Sequence, residues 1–569
     1  MFTSVATTYG GLSEGKSARV NLLIISVVWI LMIVLANPLG DYPLNDDWVY
    51  ALAVKSVLET GYYQFPSASS ANVGPQIYWG ALFCLPFGFS FTALRFSTLA
   101  LGLMGVWALH GLIRYYAEDN KTALFGALTL AVNPLYFGLA NSFMTDVPFI
   151  AVVLIAMYFL VRGLQRDSRY DIALGLAITF LAILIRQLGL VVLLAFAAAY
   201  LVKRGFTFPR LAKVSALVVL GGLLHIAYQY WLISTGRTPI LSGHSLIQNL
   251  SPPSLLLAIK KLTVALTYIG FFVLPFVAAF SLSKPSGVRG DRLKNIGRIL
   301  AVLGASLLGL LWWSDRMMPL SENVLISSGL GPLTLRDTYN LGLNFPIVPP
   351  MLTILWGVIT IFSVAAACAV IYYVGVATQQ AFVKFRKAES RPETWPYWQI
   401  AVMATAYFFI LLIVAARFPL FDRYLLLFIP LIILLIVTVK YEKPPLVRGA
   451  SAKLAWVLIF FYAGFSVAAT HDYLAWNRTR WVAVNELMQQ DKVSPKQIDG
   501  GYEFNGWFLY DAKYKHNPKK SWWWVVDDEY VIASGPIPGY SEMRRYAFNR
   551  WLLLSPSNIF VLRKVSSEG

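Results

Sequence analysis

The sequence predicts a polytopic α-helical membrane protein with about thirteen transmembrane helices and a small soluble α/β domain at its C-terminal end. Three observations predict it. Of 569 residues, 57% are hydrophobic and only 13% are charged, whereas average soluble domains carry about 25% charged residues. Apolar runs recur at close to the ~20 residues that a helix needs to cross a bilayer. Lys and Arg concentrate in alternate loops, the asymmetry that marks cytoplasmic loops.

Taken in order, residues 1–20 are polar, with Gly10, Gly11, Ser13 and Lys16. They lack the cationic start and cleavage site of a secretory signal, so 1–20 reads as a cytoplasmic tail and 21–37 as a retained signal-anchor helix. Further spans are expected at 91–113, 122–140, 147–163, 171–185, 187–202, 213–233, 257–282, 297–313, 350–376, 398–416, 423–439 and 453–470. The fifth and sixth form one run interrupted at Arg186-Gln187. Were they one helix, the count would be twelve and every later loop would change side. That option places the basic loop 284–298 outside, against the positive-inside bias, so thirteen spans fit better. The N-terminus is then inside and the C-terminus outside.

The outside receives the long segments: 38–90, which reads as an external loop with amphipathic helices, then 234–256, 314–349 and everything after 471. Polar mass invested on one face predicts work on that face. The transmembrane domain is thus 21–470 and the external α/β domain 471–569. In the latter, 483–490 continues a helix out of the membrane and Gly500-Gly501 breaks it. Residues 522–532 and 559–562 read as strands, with Pro536, Pro538 and Gly539 marking a turn between them.

The formal net charge is +18. In a soluble chain that would suggest nucleic acid; here the basic residues flank spans and face anionic lipid, and no nucleic-acid partner is expected. Cys84 and Cys368 sit far apart in apolar surroundings, which predicts no disulfide framework. With five histidines and no HExxH or CxxC pattern, no metal site is signalled.

The segment most suggestive of chemistry follows the first span: Asp41-Tyr42-Pro43-Leu44-Asn45-Asp46-Asp47-Trp48. Ionisable groups near a membrane are costly unless paired, hydrated or used. The same pattern also describes a helix start, with Asn45 as cap and acids in the first turn. Asn141-Ser142-Phe143-Met144-Thr145-Asp146-Val147-Pro148 has the same two readings, with Pro148 in the first turn. Under the thirteen-span topology, Asp146 faces the same compartment as Asp46 and Asp47. So do Arg186, which interrupts an apolar run, and Arg417, Asp422 and Arg423-Tyr424 in a short turn. These arginines need an anion, and a planar guanidinium suits phosphate oxygens; an Arg–Asp pair or snorkelling is the plainer reading. His225 and His244 lie on the same side and read as structural.

Together these residues resemble the GT-C membrane glycosyltransferases, closest to glycosyltransferase family 39, which includes protein O-mannosyltransferases and bacterial lipid A aminoarabinose transferases. The ordered set is Asp46-Asp47-Trp48-Val49-Tyr50-Ala51, Pro75-Gln76-Ile77-Tyr78-Trp79, Ala93-Leu94-Arg95-Phe96-Ser97, Met144-Thr145-Asp146-Val147-Pro148 and Phe421-Asp422-Arg423-Tyr424. It covers roughly residues 20–440. The resemblance implies a polyprenyl-phosphate sugar donor and an inverting transfer outside the membrane. It implies Asp46 as the base that activates the acceptor hydroxyl, with Asp47 as the weaker candidate. Asp146, Arg186, Tyr78, Arg423 and Tyr424 are implied in substrate binding, with Arg423 first for the donor phosphate. The sequence departs from the family where relatives often carry Lys-Pro-Pro: Val73-Gly74-Pro75 stands there, which shifts phosphate recognition to Arg186 or Arg423.

The implied chemistry needs a carboxylate base and a cation, Arg or a metal, at the departing phosphate; the sequence signals no certain cofactor, and a divalent metal stays open. Expected partners are the lipid-linked donor, a lipid, glycan or protein acceptor, and the membrane, with a bacterial inner membrane as the expected site. A transporter or flippase of a lipid-linked glycan, or a glycan ligase or polymerase, are the alternative readings.

Overall fold

The computed structural model describes the chain apart from residues 1–2, 67–68, 70, 118, 238–251, 281–282, 287–289, 344, 346–347, 442–449, 516–522 and 566–569. His244 lies outside the described residues. The molecule is mostly helical. In chain order the helices are α1 (Thr3–Ala36), α2 (Asp47–Thr60), α3 (Gly74–Cys84), α4 (Phe91–Ala117), α5 (Asn120–Ala131), α6 (Pro134–Ala140), α7 (Asp146–Arg166), α8 (Arg169–Ile185) and α9 (Leu190–Arg204). There follow α10 (Phe208–Ser234), α11 (Pro252–Phe280), α12 (Gly290–Trp313), α13 (Pro350–Phe385), α14 (Trp395–Arg417), α15 (Phe428–Val437), α16 (Ala450–Gln489) and α17 (Tyr502–Leu509).

Ten helices among the described residues are long and apolar enough to cross a membrane. Their apolar side chains face outward as well as inward: Leu23, Val27 and Val34 on α1, Val219 and Ile226 on α10, and Val302 and Leu310 on α12 are all exposed. Only a lipid solvent accepts such faces. The chain is a multi-pass membrane protein.

The expected thirteen spans all fall on helices, but three differ from the expectation. The run 122–140 is bent by 62° between α5 and α6. Asn133 causes the bend: its side chain accepts from the backbone N–H groups of Leu135 and Tyr136, and Pro134 opens the new helix. Counted as one span, this pair makes eleven. The other two, α8 and α15, have 17 and 10 residues and are short for a full crossing by themselves.

The break at Arg186 is a reversal. Arg186 takes an extended conformation and a single tight turn, Gln187–Gly189, follows before α9. At the far end of α9, Lys203 and Arg204 both pair with Asp167, in the turn that precedes α8. Helices α8 and α9 therefore lie side by side as a hairpin, which removes the single-helix option. The Asp167 backbone is left-handed, and Ser168 caps α8 by accepting from the Asp171 N–H.

Of the segments expected outside, 234–256 falls largely outside the described residues, and the described parts of the others gather at one end of the helices. The 38–47 loop, the start of α7, the end of α8 and the α14–α15 turn meet there. So does the 314–349 segment, whose short hairpin pairs β1 (Leu325–Ile326) with β2 (Gly329–Leu330). Helix α16 runs unbroken for 40 residues and carries the chain into the C-terminal unit at the same end. There a four-stranded sheet has the order β3-β4-β6-β5, with β3 (Ile498–Asp499) parallel to β4 (Tyr530–Ala533). Strands β5 (Tyr540–Asn549) and β6 (Pro556–Lys564) complete it in antiparallel pairing. Within 522–532 the strand covers only the last residues, and β5 was not anticipated. The expected run at 559–562 lies inside β6.

Candidate active site

Asp46 immediately precedes α2, at the position where the helix begins. Its carboxylate is partly exposed and held from two sides. Oδ2 pairs with Nη2 of Arg423 at 3.2 Å, and Oδ1 accepts the hydroxyl of Tyr502 at 2.8 Å. Arg423 reaches it from the turn between α14 and α15. Of the atoms on that guanidinium, Nε and Nη1 are buried without a hydrogen-bond partner. A planar fork with two open donors fits an anionic oxygen.

Asp146 stands at the first position of α7, and its Oδ1 pairs with Nη2 of Arg186 at 3.3 Å. Arg186 also donates through Nε to the Thr145 hydroxyl at 2.9 Å. Asp146 Oδ2 is buried and unpartnered. The two acid–guanidinium pairs bear on one another. The charges of Asp46 and Asp146 both act on Arg423, and all four charges act on the hydroxyl of Tyr50, one helical turn after Asp46. Burial, then the Asp46 charge, pushes the Tyr50 hydroxyl above its ordinary range, so it stays protonated. Tyr424 lies alongside with its ring 5.9 Å from the Arg423 guanidinium carbon.

Four of the sequence-predicted residues, Asp46, Asp146, Arg186 and Arg423, thus come together with Tyr424. Two do not join them. Asp47 points inward, fully buried, and accepts from the backbone N–H groups of Leu44 at 2.6 Å and Phe143 at 3.2 Å. Burial, opposed by the Arg95 charge, pushes its carboxyl up to about 8. Asp47 thereby ties the start of α2 to the 141–145 turn, and its carboxylate does not join the Arg423 pair. Tyr78 is half exposed on α3 and packs edge-on to Tyr63 at 5.8 Å, within an aromatic group that includes Trp231.

Neighbouring residues fix the shape of the cluster. Arg95, fully buried, donates to the carbonyls of Pro38 and Gly40 at 2.8 and 2.7 Å and to that of Tyr42, and so folds the loop that delivers Asp46. Asp422 does not pair with the Arg423 guanidinium. Its oxygens accept from the N–H groups of Val324, Leu325 and Arg423, which locks the α14–α15 turn under the 314–349 segment. Burial pushes the Asp422 carboxyl up to about 6.

The C-terminal unit supplies what sequence reasoning missed. Besides Tyr502, Glu503 accepts from the N–H of Asn45 at 3.0 Å and forms a fully buried pair with Arg480 at 2.8 Å. Trp48, Tyr502, Tyr510 and Trp524 pack as one aromatic cluster beside it. Tyr50 was legible as a helical neighbour of Asp46; Tyr502 gave no signal. Among the described residues no group of three or more His, Cys, Asp or Glu side chains could hold a metal ion. The two acids of the cluster are each engaged by an arginine, so this donor set does not fit a metal.

Fold and site together define a class: a multi-pass membrane protein with paired carboxylates and guanidiniums clustered at one end of its helices, resembling the GT-C transferases. The sequence model of the dolichyl-phosphate-mannose-protein mannosyltransferase family matches residues 73–231, the stretch that contains Asp146 and Arg186. Two crystal structures of ArnT from Cupriavidus metallidurans are similar. The apo structure is 15% identical with a TM-score of 0.39, covering 88% of this chain and 84% of that one. The structure bound to undecaprenyl phosphate is 13% identical with a TM-score of 0.40, covering 96% and 98%. No curated protein matches the chain.

Proposed function

We propose that the protein is a membrane glycosyltransferase that moves a sugar from a polyprenyl-phosphate donor to an acceptor hydroxyl or phosphate at the external, periplasmic face. One observation carries this reading: Asp46 and Arg423, 377 residues apart, pair where the carboxylate is partly exposed and the guanidinium keeps two buried N–H groups without a partner. The family resemblance and the match over residues 73–231 support it.

In this mechanism the Asp46 carboxylate takes the proton of the acceptor hydroxyl as general base. The acceptor oxygen attacks the anomeric carbon from the face opposite the phosphate. The bond between that carbon and the phosphate oxygen breaks, and its electron pair leaves with the polyprenyl phosphate. The configuration inverts. Arg423 takes the growing negative charge through Nε and Nη1. Arg186 is the second phosphate ligand: Val73, where relatives have lysine, donates its N–H to the carbonyl of Ile185, next to Arg186, at 3.1 Å. The same charge thus returns to this place from α8. Asp146 holds Arg186 in position, and Tyr502 and Arg423 orient Asp46. Residues 1–20 are assigned to the cytoplasm and 471–569 to the outside.

The test is Asp46→Asn in purified protein given a polyprenyl-phosphate sugar. Transfer should fall by about 100-fold or more, as loss of a general base implies, while the thermal unfolding midpoint holds. Near-normal turnover in this variant removes Asp46 from the mechanism. A wild-type protein that moves the intact lipid-linked sugar across vesicles, without cleaving it, supports a flippase instead.

A further inference from the structure

A second cavity lies at the opposite end of the molecule. It has a volume of about 340 Å3 and is bounded by the end of α13, the start of α14 and the chain just after α15. Helix α14 has its first residue here and its last beside the Arg423 turn. Its 23 residues put the two sites about 35 Å apart at 1.5 Å per residue. Nothing in the proposed transfer uses this cavity.

Its lining holds two lysines and one acid. Lys384 pairs with Glu393 at 3.0 Å, and Lys440 lines the same cavity. Two like charges in one cavity repel unless an anion lies between them, and Glu393, itself largely exposed, neutralises one of them at most. Lys440 is also built into place. Gln380 accepts from its backbone N–H at 2.9 Å and donates to its carbonyl at 3.1 Å, and the same amide donates to Ser286 at 2.9 Å. A lysine held by both backbone groups is a fixture of the fold. Apolar residues complete the lining: Ala377 and Ala381, on the same helix as Lys384, with Pro396 and Tyr397.

We propose that this cavity binds the phosphate of an anionic phospholipid headgroup, with Lys384 and Lys440 on the phosphate and the apolar residues along the glycerol and first acyl carbons. A pocket at the end of a helix bundle whose lining mixes cationic and apolar residues matches a lipid better than a free ion. Free phosphate shares the charge but leaves the apolar residues bare.

Native mass spectrometry of the detergent-solubilised full chain tests this. Phosphatidylglycerol should be retained over phosphatidylcholine of the same acyl composition. The preference should drop about 30-fold in the Lys384→Gln/Lys440→Gln double variant, at roughly 1 kcal/mol per lysine near an anionic headgroup and about 1.4 kcal/mol per factor of ten. Glu393→Gln removes the competing anion and should strengthen retention. Opposite responses of the two variants separate binding from misfolding, since a damaged fold weakens both. Equal retention of both lipids, or no change in either variant, overturns the proposal. Thermal protection of the lipid-free protein by inorganic phosphate as large as that by phosphatidylglycerol overturns the lipid as the source of the phosphate.

Discussion

Replacing Arg423 by lysine isolates the guanidinium fork from its charge. In the structure Arg423 uses one N–H toward Asp46, at 3.2 Å, and keeps Nε and Nη1 open in a largely buried setting. Lysine retains the charge but concentrates it at one point and cannot span two phosphate oxygens in a plane. If it keeps the contact to Asp46, at least one charge-assisted hydrogen bond to the donor phosphate is lost, worth about 1.5–3 kcal/mol. That is about 10- to 150-fold in rate, at 1.4 kcal/mol per factor of ten. Because negative charge grows on the phosphate as the glycosidic bond breaks, the loss belongs mainly in kcat, with a smaller rise in donor KM. The assay is initial-rate transfer from a synthetic polyprenyl-phosphate sugar, with donor varied at saturating acceptor. A lysine variant within threefold of wild type in kcat/KM refutes a fork on the phosphate. A loss confined to acceptor KM refutes it equally, since it would move Arg423 to the other substrate.

Tyr502→Phe keeps the ring against Trp48 and Trp523 but removes the 2.8 Å hydrogen bond to Asp46; transfer should drop by about tenfold with the unfolding midpoint little changed, measured by rate and by thermal melt on one preparation. Asp47 should make the protein less stable as pH rises. Its carboxyl keeps its proton up to about 8 in the folded chain against an ordinary value of 3.8, so between those values the unfolded state releases a proton that the folded state holds. The midpoint should therefore fall from pH 5 to pH 8, and that contribution to the slope should vanish in Asp47→Asn. Arg480→Met alone strands the buried Glu503 and should cost about 3–5 kcal/mol, seen as early melting or protease sensitivity of the C-terminal unit.

The transmembrane architecture was legible because lipid imposes a length and a polarity on each crossing. The hairpin at Arg186 could be chosen over a continuous helix because loop charge records topology. The bend at Asn133-Pro134 was also written in the sequence, as a cap followed by proline, but hydropathy averages over it. Asp46, Asp146, Arg186 and Arg423 stood out because charge at the edge of an apolar run is costly and needs a reason. Asp47 faces the core and Asp46 does not because adjacent residues at a helix start point about 100° apart, a difference that the paired acids do not show in the sequence. Tyr502 was hidden in a different way. It is one tyrosine among 30, and only the folded chain brings it to Asp46. The C-terminal strands were blurred by the same aromatics: Trp523 and Trp524 pack on Tyr502, and Trp524 adopts a left-handed backbone that ends any strand.

The grip of Tyr502 and Glu503 on residues 45 and 46 has a consequence in time. These partners are separated by 456 and 458 residues, so during synthesis the amino-terminal acid waits in place while nearly the whole chain is made and threaded. A nascent or prematurely ended polypeptide carries the carboxylate without the hand that aims it. The hydrogen bonds around residues 45 and 46 are complete only once residues 502 and 503 have been made and folded against them.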